Sequence, residues 1–138
     1  MSPAALPSRR RWRRKMPGEP ILIVDDNPVN LKLARVLLAS EGYSVRTASD
    51  AEEALDILRS FYPRLILMDI QLPGMDGLEL TKRLKANPET RDILILALTA
   101  YAMKGDDKKM LDAGCDGYIS KPVDTRTLPG VIAEHLRR

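Results

Sequence analysis

Five short runs rich in apolar and β-branched residues alternate along the chain with segments whose apolar residues recur at helical spacing. The runs cover residues 21–24, 43–48, 65–68, 93–98 and 117–120. Runs that are apolar at nearly every position, such as the first, third and fourth, are typical of strands buried on both faces of a parallel sheet. Five repeats of strand then helix, with short connections, predict an α/β fold: a doubly wound parallel sheet with helices on both faces.

Local signals mark where the first two helices begin and end. Asn27 offers an N-cap in front of Pro28, and Gly42 stands where a glycine would end the first helix. Residues 49–52, Ser-Asp-Ala-Glu, have the form of a capping box. This pattern predicts that Ser49 caps the second helix.

The remaining three helices have weaker signals. A turn cluster at residues 73–77 precedes a third helix with leucines at 78, 80 and 84. A fourth helix is predicted around residues 104–113, where a glycine and a polar run dilute the apolar face. Asp124 or Thr125 is predicted to cap a last helix that reaches Leu136.

Polar side chains stand where four of the predicted strands end. Asp25 and Asp26 follow the first run, Asp69 the third, Thr99 the fourth and Lys121 the fifth. Ligands of open α/β sheets bind outside the carboxyl ends of the strands, so these groups are expected to converge. Three carboxylates, a hydroxyl and an ammonium suit a divalent cation together with a phosphoryl group.

The carboxylates and the lysine each have a plainer interpretation. Asp25 and Asp26 could be acids that favour the start of the helix after Asn27, and Lys121 could be a surface lysine before a turn proline. A carboxylate such as Asp69 can act as a covalent nucleophile toward phosphorus. A cis bond between Lys121 and Pro122 would set the direction of the lysine side chain.

The net charge of +3 is distributed unevenly over the 138 residues. Six of the 22 basic residues lie at positions 9–15, which leaves 16 basic against 19 acidic residues in the remainder. We predict that residues 1–19 form a basic, flexible tail, or an upstream extension of a domain that could start at Met16. The alternative is contact with a polyanion such as nucleic acid or anionic lipid.

Compartment and reactivity follow from a few single residues. No apolar run approaches the roughly 18 residues of a membrane span, and the basic N-terminus lacks an apolar secretory core, so a soluble, cytoplasmic protein is predicted. Cys115 is the only cysteine, which fits a reducing compartment and a small buried side chain rather than a nucleophile. His135 stands in the last turn of the final helix, where a cation complements the helix dipole.

Residues 20–138 resemble the receiver domain of bacterial two-component response regulators, the CheY-like superfamily. The matching motifs are Val-Asp-Asp-Asn at 24–27, Leu-Met-Asp-Ile-Gln-Leu-Pro-Gly-Met-Asp-Gly at 67–77, Leu-Thr-Ala at 98–100 and Lys-Pro at 121–122. The wording of residues 98–106 resembles DivK-like single-domain regulators and the receivers of hybrid kinases. The resemblance implies a flavodoxin-like sheet with strand order 2-1-3-4-5 and a single-domain regulator of a phosphorelay.

The resemblance also implies roles for the residues at the strand ends. Asp69 would be the phosphoacceptor, receiving a phosphoryl group from a histidine kinase or a histidine phosphotransfer protein. Asp26, Asp69 and the backbone carbonyl of Gln71 would bind Mg²⁺ directly, with Asp25 acting largely through water. Lys121 and Thr99 would hold the phosphoryl oxygens.

A switch and a lifetime control complete what the resemblance implies. Thr99 would move toward the new phosphoryl group and Tyr118 would turn inward, remodelling the surface of helix four, strand five and helix five for a downstream protein. Gln71 and Tyr101 occupy the two positions that tune the lifetime of the acyl-phosphate. A bulky Tyr101 predicts slow self-dephosphorylation, on the order of minutes or longer, because it obstructs the attacking water.

Four other functions use parts of the same pattern. The chain could be the receiver module of a hybrid histidine kinase, or a partner-binding switch that dimerises on phosphorylation. A Mg²⁺-dependent phosphatase with an aspartyl-phosphate is disfavoured because Gln71 stands where such enzymes often have a general acid. A DNA-binding regulator is disfavoured because no helix-turn-helix pattern follows the domain.

Overall fold

The computed structural model describes residues 18–100 and 106–137, and these form one parallel sheet with helices on both faces. The sheet order is β2-β1-β3-β4-β5, as predicted. The strands are β1 (Pro20–Val24), β2 (Ser44–Ala48), β3 (Leu65–Asp69), β4 (Leu94–Thr99) and β5 (Gly117–Ser120). The described helices are α1 (Pro28–Ser40), α2 (Ala51–Ile57), α3 (Gly77–Ala86), α4 (Asp106–Ala113) and α5 (Leu128–Leu136).

Alternating side chains of the central strands feed two separate hydrophobic cores. Ile21 and Ile23 of β1 pack with α1 and α5 on one face of the sheet. Leu22 and Val24, which point the other way, pack with α2, α3 and α4. All four side chains are at most 1% exposed. The double burial explains why the central strands are apolar at every core position, and it confirms the doubly wound arrangement.

The ends of α1 follow the predicted signals. The Asn27 side chain accepts hydrogen bonds from the backbone N–H groups of Val29 (2.9 Å) and Asn30 (3.2 Å). At the other end Gly42 has a φ of 96°, a left-handed value that glycine adopts at little cost. The N–H groups of Gly42 and Tyr43 donate to carbonyls of the last turn, which is the pattern of a Schellman cap.

Two predicted caps are wrong by one to three residues. Asp50, not Ser49, caps α2, and Glu53 rather than Glu52 completes the capping box by accepting from the Ser49 N–H and hydroxyl. The last helix begins after Thr127, not at Asp124 or Thr125. Asp124 instead forms a preceding turn, and its carboxylate accepts from the N–H of Arg126 at 2.9 Å. The helix begins later because its second residue is a proline, which suits the first helical turn.

The amino edge of the sheet is tied together by one lysine. Lys85, at the end of α3, donates to the carboxylate of Asp116 (2.9 Å) and to the backbone carbonyls of Ile93 (2.8 Å) and Arg91 (3.1 Å). The same Asp116 oxygen accepts from the N–H of Ile95 at 2.8 Å. This cluster joins α3, the segment before β4 and the segment before β5. No helix in residues 18–100 and 106–137 is long and apolar enough to span a membrane.

Candidate phosphorylation and metal site

Three carboxylates meet at the carboxyl edge of the sheet. Asp25 follows β1 and Asp69 ends β3, and these two strands pair in parallel register with Val24 beside Met68. One carboxylate oxygen from each of Asp25, Asp26 and Asp69 lies within 4.8 Å of the other two. Asp25 and Asp69 are buried, at 1% and 2% exposure, whereas Asp26 is exposed. The fold therefore brings together the acidic residues that the sequence marked at two different strand ends.

Both oxygens of the Asp69 carboxylate have a donor. Oδ1 accepts from the backbone N–H of Gln71 at 2.9 Å, and Oδ2 accepts from Nζ of Lys121 at 2.9 Å. The Lys121 side chain is 21% exposed, while that of Asp69 is 3% exposed. The carboxylate is thus fixed in orientation, with an ammonium group beside the oxygen that faces β5. The Lys121–Pro122 peptide bond is cis.

Asp25 is held by the first turn of α1. Its Oδ1 accepts from the N–H of Asn27 at 2.9 Å, and its Oδ2 accepts from Nδ2 of Asn30 at 3.4 Å. Burial is the main cause that raises the pKa of the Asp25 carboxyl above its usual value, and the neighbouring Asp69 raises that pKa further. The Asn27 hydrogen bond and Lys121 lower the same pKa without reversing the shift. The folded protein therefore disfavours the charged form of the Asp25 carboxyl.

The predicted switch residues lie on neighbouring strands. Thr99 ends β4 and is 1% exposed, and its backbone carbonyl accepts from the N–H of Lys121 at 2.8 Å. Tyr118 on β5 has its side chain 50% exposed, which is an outward position. Thr99 therefore lies one strand from Asp69 and one strand from Tyr118. Tyr101, predicted to control phosphate lifetime, lies outside the described residues.

Sequence reasoning missed two residues that shape the site. Asn30 was not predicted to belong to the site, although it stands one turn after Asp26 and can therefore reach the strand end. Gly77 was read only as a turn residue. A Cβ atom at Gly77 would lie 2.2 Å from the carbonyl oxygen of Asp69 and 2.7 Å from the Cα of Ile70. Only glycine lets α3 begin this close to the end of β3.

The charges of the site leave room for a divalent cation. Three carboxylates face one paired ammonium, so the described groups leave two negative charges in a partly buried place. Oxygen donors from carboxylates are what Mg²⁺ prefers, and it commonly uses one or two of them together with phosphate oxygens. The donor set fits a magnesium ion, and the lysine adds a fixed positive charge for an oxyanion.

An open parallel sheet that collects carboxylates and a lysine at its carboxyl edge has the groups that phosphoryl chemistry with a divalent cation requires. Residues 21–133 match the family described as the response regulator receiver domain. The chain therefore belongs to the response regulator receiver domain family, a signalling switch of two-component systems, as the sequence predicted.

Relatives and solved structures agree with this assignment. DivK of Brucella ovis, a polar-differentiation response regulator, is 46% identical over 116 residues, which cover 84% of this chain and 94% of that protein. A CheY-like receiver domain protein of Methanospirillum hungatei is 36% identical with a TM-score of 0.80, covering 87% of this chain and 94% of that one. The receiver domain of a Pseudomonas aeruginosa sensor histidine kinase is 35% identical with a TM-score of 0.80, covering 88% and 99%. That Pseudomonas structure has a magnesium ion coordinated in its active site cleft.

Proposed function

We propose that Asp69 accepts a phosphoryl group from the phosphohistidine of a kinase or phosphotransfer protein, and that the product changes the protein surface for a partner. The observation that carries this proposal is the Asp69 carboxylate, buried among two other carboxylates with Nζ of Lys121 2.9 Å from its Oδ2. A carboxylate fixed by two donors is positioned to attack phosphorus, and positioning with charge neutralisation supplies most of the catalysis in phosphoryl transfer.

The chain supplies its part of the transfer from groups at this edge of the sheet. An oxygen of Asp69 forms the new bond to phosphorus as the nitrogen–phosphorus bond of the donor breaks, and the leaving imidazole keeps the electron pair of that bond. The Lys121 ammonium, freed from Asp69, neutralises a phosphoryl oxygen, and the hydroxyl of Thr99 donates to another. Asp25, Asp26, Asp69 and the Gln71 carbonyl would hold Mg²⁺, which supplies positive charge against the phosphoryl oxygens.

The acyl-phosphate would act on neighbouring strands. Thr99 and Tyr118 lie on the paired strands β4 and β5. In this proposal Thr99 shifts toward the phosphoryl group and the exposed tyrosine turns inward. The surface of α4, β5 and α5 is then the output face, for a downstream protein or a second copy of the chain. In this proposal the switch works in the cytoplasm.

Intact mass after incubation with a small phosphodonor and Mg²⁺ tests the proposal. We expect one phosphoryl adduct on the wild-type chain, its loss in Asp69→Asn, and its loss when Mg²⁺ is chelated. Asp76→Asn is the matched control, because Asp76 is an exposed acid whose amide replacement can still cap α3. An adduct that persists in Asp69→Asn would overturn the assignment. Following the adduct with time in Tyr101→Ala tests whether Tyr101 slows hydrolysis, with faster decay expected.

A further inference from the structure

A cavity of about 480 Å³ lies beside the phosphorylation site, between α1 and the segment that leads from β5 to α5. Leu33, Ala34 and Leu37 line it from α1, and Pro122 and Val123 line it from the segment after β5. Binding sites for small organic molecules have volumes of about 300–1,000 Å³ and are lined mostly by apolar side chains. The cavity therefore has the size and the lining of such a site.

The floor of the cavity is formed by the sheet. Ile23, Leu67 and Leu98 belong to β1, β3 and β4, and they line the cavity from the hydrophobic core beneath α1. Leu33, in contrast, is 55% exposed, so the cavity is open to solvent on the α1 side. Large apolar side chains that stay exposed at a concave surface mark a binding surface.

Charged groups line the cavity where it meets the phosphorylation site. Asp25, Asn30 and Lys121 all belong to its lining. The Asp25 carboxylate accepts hydrogen bonds from the N–H of Asn27 and from Nδ2 of Asn30, although a carboxylate can accept about four. Nζ of Lys121 lies 2.9 Å from Oδ2 of Asp69 and is therefore already paired. The cavity thus offers a further hydrogen-bond donor a carboxylate with acceptor capacity to spare.

The charge balance at this end of the cavity selects the head group of a ligand. Three carboxylates, within 4.8 Å of one another, face one ammonium group, so the surplus charge is negative. We propose that the cavity binds a small organic amine, whose apolar body packs against Leu33 and Leu37 while its protonated nitrogen donates to Asp25. A neutral head group would leave the surplus charge in place, and an anionic one would have to draw Lys121 away from Asp69.

A bound amine would regulate the phosphorylation site. The ammonium group at Asp25 takes up the negative charge that Mg²⁺ needs, so amine and metal exclude each other. Such an amine would keep Asp69 unphosphorylated. This regulation rests on the proposed function, whereas the binding of the amine does not.

Three probes of similar shape and different charge test the binding. Phenethylamine, phenethyl alcohol and phenylacetate are titrated into the full chain in Mg²⁺-free buffer at pH 7, and the heat of binding is measured. The absence of metal and phosphodonor keeps the result independent of phosphorylation. We expect phenethylamine to bind with a Kd of about 1 mM, since ligands with so few atoms have limited affinity. The alcohol and the carboxylate should bind about tenfold more weakly, because each lacks the charge-assisted hydrogen bond.

Two pairs of variants locate the ligand. Ala34→Leu fills the cavity and should abolish binding of phenethylamine, whereas Ala39→Leu, on the exposed side of the same helix and outside the cavity lining, should leave its Kd unchanged. Asp25→Asn should weaken phenethylamine about tenfold and leave phenethyl alcohol unaffected. Asp56→Asn is the matched control for charge, because the side chain of Asp56 is 77% exposed on α2. Urea denaturation verifies that each variant is folded.

The outcomes separate a specific amine site from nonspecific binding. Equal affinity for the amine and the alcohol would overturn the proposal, because the carboxylates would then not select the head group. Equal loss of binding in Ala34→Leu and Ala39→Leu would overturn it as well, because the ligand would then lie outside the cavity. Tight binding of the amine that depends on both Ala34 and Asp25 is the result that supports it.

Discussion

Two lysine–aspartate pairs with the same contact distance stand at opposite edges of the sheet. Lys121 meets Asp69 at the carboxyl edge and Lys85 meets Asp116 at the amino edge, and in both pairs Nζ lies 2.9 Å from Oδ2. The lysines are equally shielded, at 21% and 20% exposure. The aspartates differ in burial, at 3% exposure for Asp69 and 33% for Asp116, and the pairs also differ in what surrounds them. These differences separate a structural contact from a functional one.

The amino-edge pair is saturated by its neighbours. Lys85 has three acceptors, and the Asp116 oxygen has two donors, Lys85 and the N–H of Ile95. No further charge of the described residues competes for either partner in these hydrogen bonds. Removal of one partner from such a satisfied pair leaves the other unpaired, which is costly to the folded state.

The carboxyl-edge pair is embedded in unbalanced charge. Asp69 shares its lysine with two other carboxylates, and one of them, Asp25, is buried at 1% exposure. Burial of like charges lowers the stability of the folded state. Such an arrangement persists only where the surrounding structure enforces it. The comparison teaches that the charges at the carboxyl edge lower the stability of the fold, and that binding of a cation or phosphorylation can relieve this.

The largest effect on the free energy of unfolding is expected from a substitution at Gly77, at the carboxyl edge. Gly77→Ala would place a methyl group 2.2 Å from the Asp69 backbone, whereas at Gly114 the nearest atom is the flexible Lys85 side chain, at 2.8 Å. Backbone cannot yield as a side chain does, so Gly77→Ala should lower the free energy of unfolding by about 3 kcal/mol. Urea denaturation measures this.

The matched control for that change is Gly130→Ala in α5, where a Cβ atom would meet nothing within 4 Å. Alanine should stabilise this helix position by about 0.5 kcal/mol. Equal stability of Gly77→Ala and the wild-type chain would show that the approach of α3 to β3 is looser than the structure gives.

The next effect tests the saturated pair. Lys85→Met leaves the Asp116 carboxylate and the carbonyls of Arg91 and Ile93 without their shared donor. Unsatisfied groups in a partly buried place should cost about 2 kcal/mol of unfolding free energy. Lys82→Met on the exposed side of α3 should change it by less than about 0.5 kcal/mol. If both variants unfold at the same urea concentration, the Lys85 cluster is not structural.

A smaller, pH-dependent effect tests the unbalanced edge. The folded protein raises the pKa of Asp25 above its ordinary 3.8, so the charge on Asp25 costs stability above that pH and nothing well below it. Without metal, Asp25→Asn should therefore be more stable than the wild-type chain at pH 7. The advantage should shrink as the pH falls through the raised pKa of the folded protein and be gone below the ordinary value. Urea denaturation at several pH values measures the gap. An advantage that stays constant with pH would contradict this cause.

Much of the fold was predictable because its determinants are local and repeated. Buried parallel strands are apolar throughout, and the helix signals at Asn27, Pro28 and Gly42 act within a few residues. The site followed from the same logic, since Asp69 and Lys121 stand at strand ends that topology brings together.

The features that could not be predicted depend on a choice between two possible capping residues or on contacts between elements distant in sequence. Ser49 and Asp50 can both cap a helix, and the choice is made by Glu53, which reaches back to Ser49. The close approach at Gly77 and the Asn30 contact with Asp25 arise between elements, so neither has a periodic pattern. The saturated Lys85–Asp116 pair spans 31 positions and leaves no local trace in the sequence.

The most direct test of the comparison replaces each aspartate of the two pairs by asparagine and measures the free energy of unfolding in metal-free buffer. Asp116→Asn should destabilise the protein, because Lys85 loses its counter-ion. Asp69→Asn should stabilise it, because Lys121 keeps the neighbouring Asp25 carboxylate while the repulsion among the three acids falls. Like charges about 4 Å apart repel by about 1 kcal/mol even in the dielectric of water. Opposite signs are the predicted result. Destabilisation of similar size in both variants would contradict the claim that the carboxyl edge holds unbalanced charge for function.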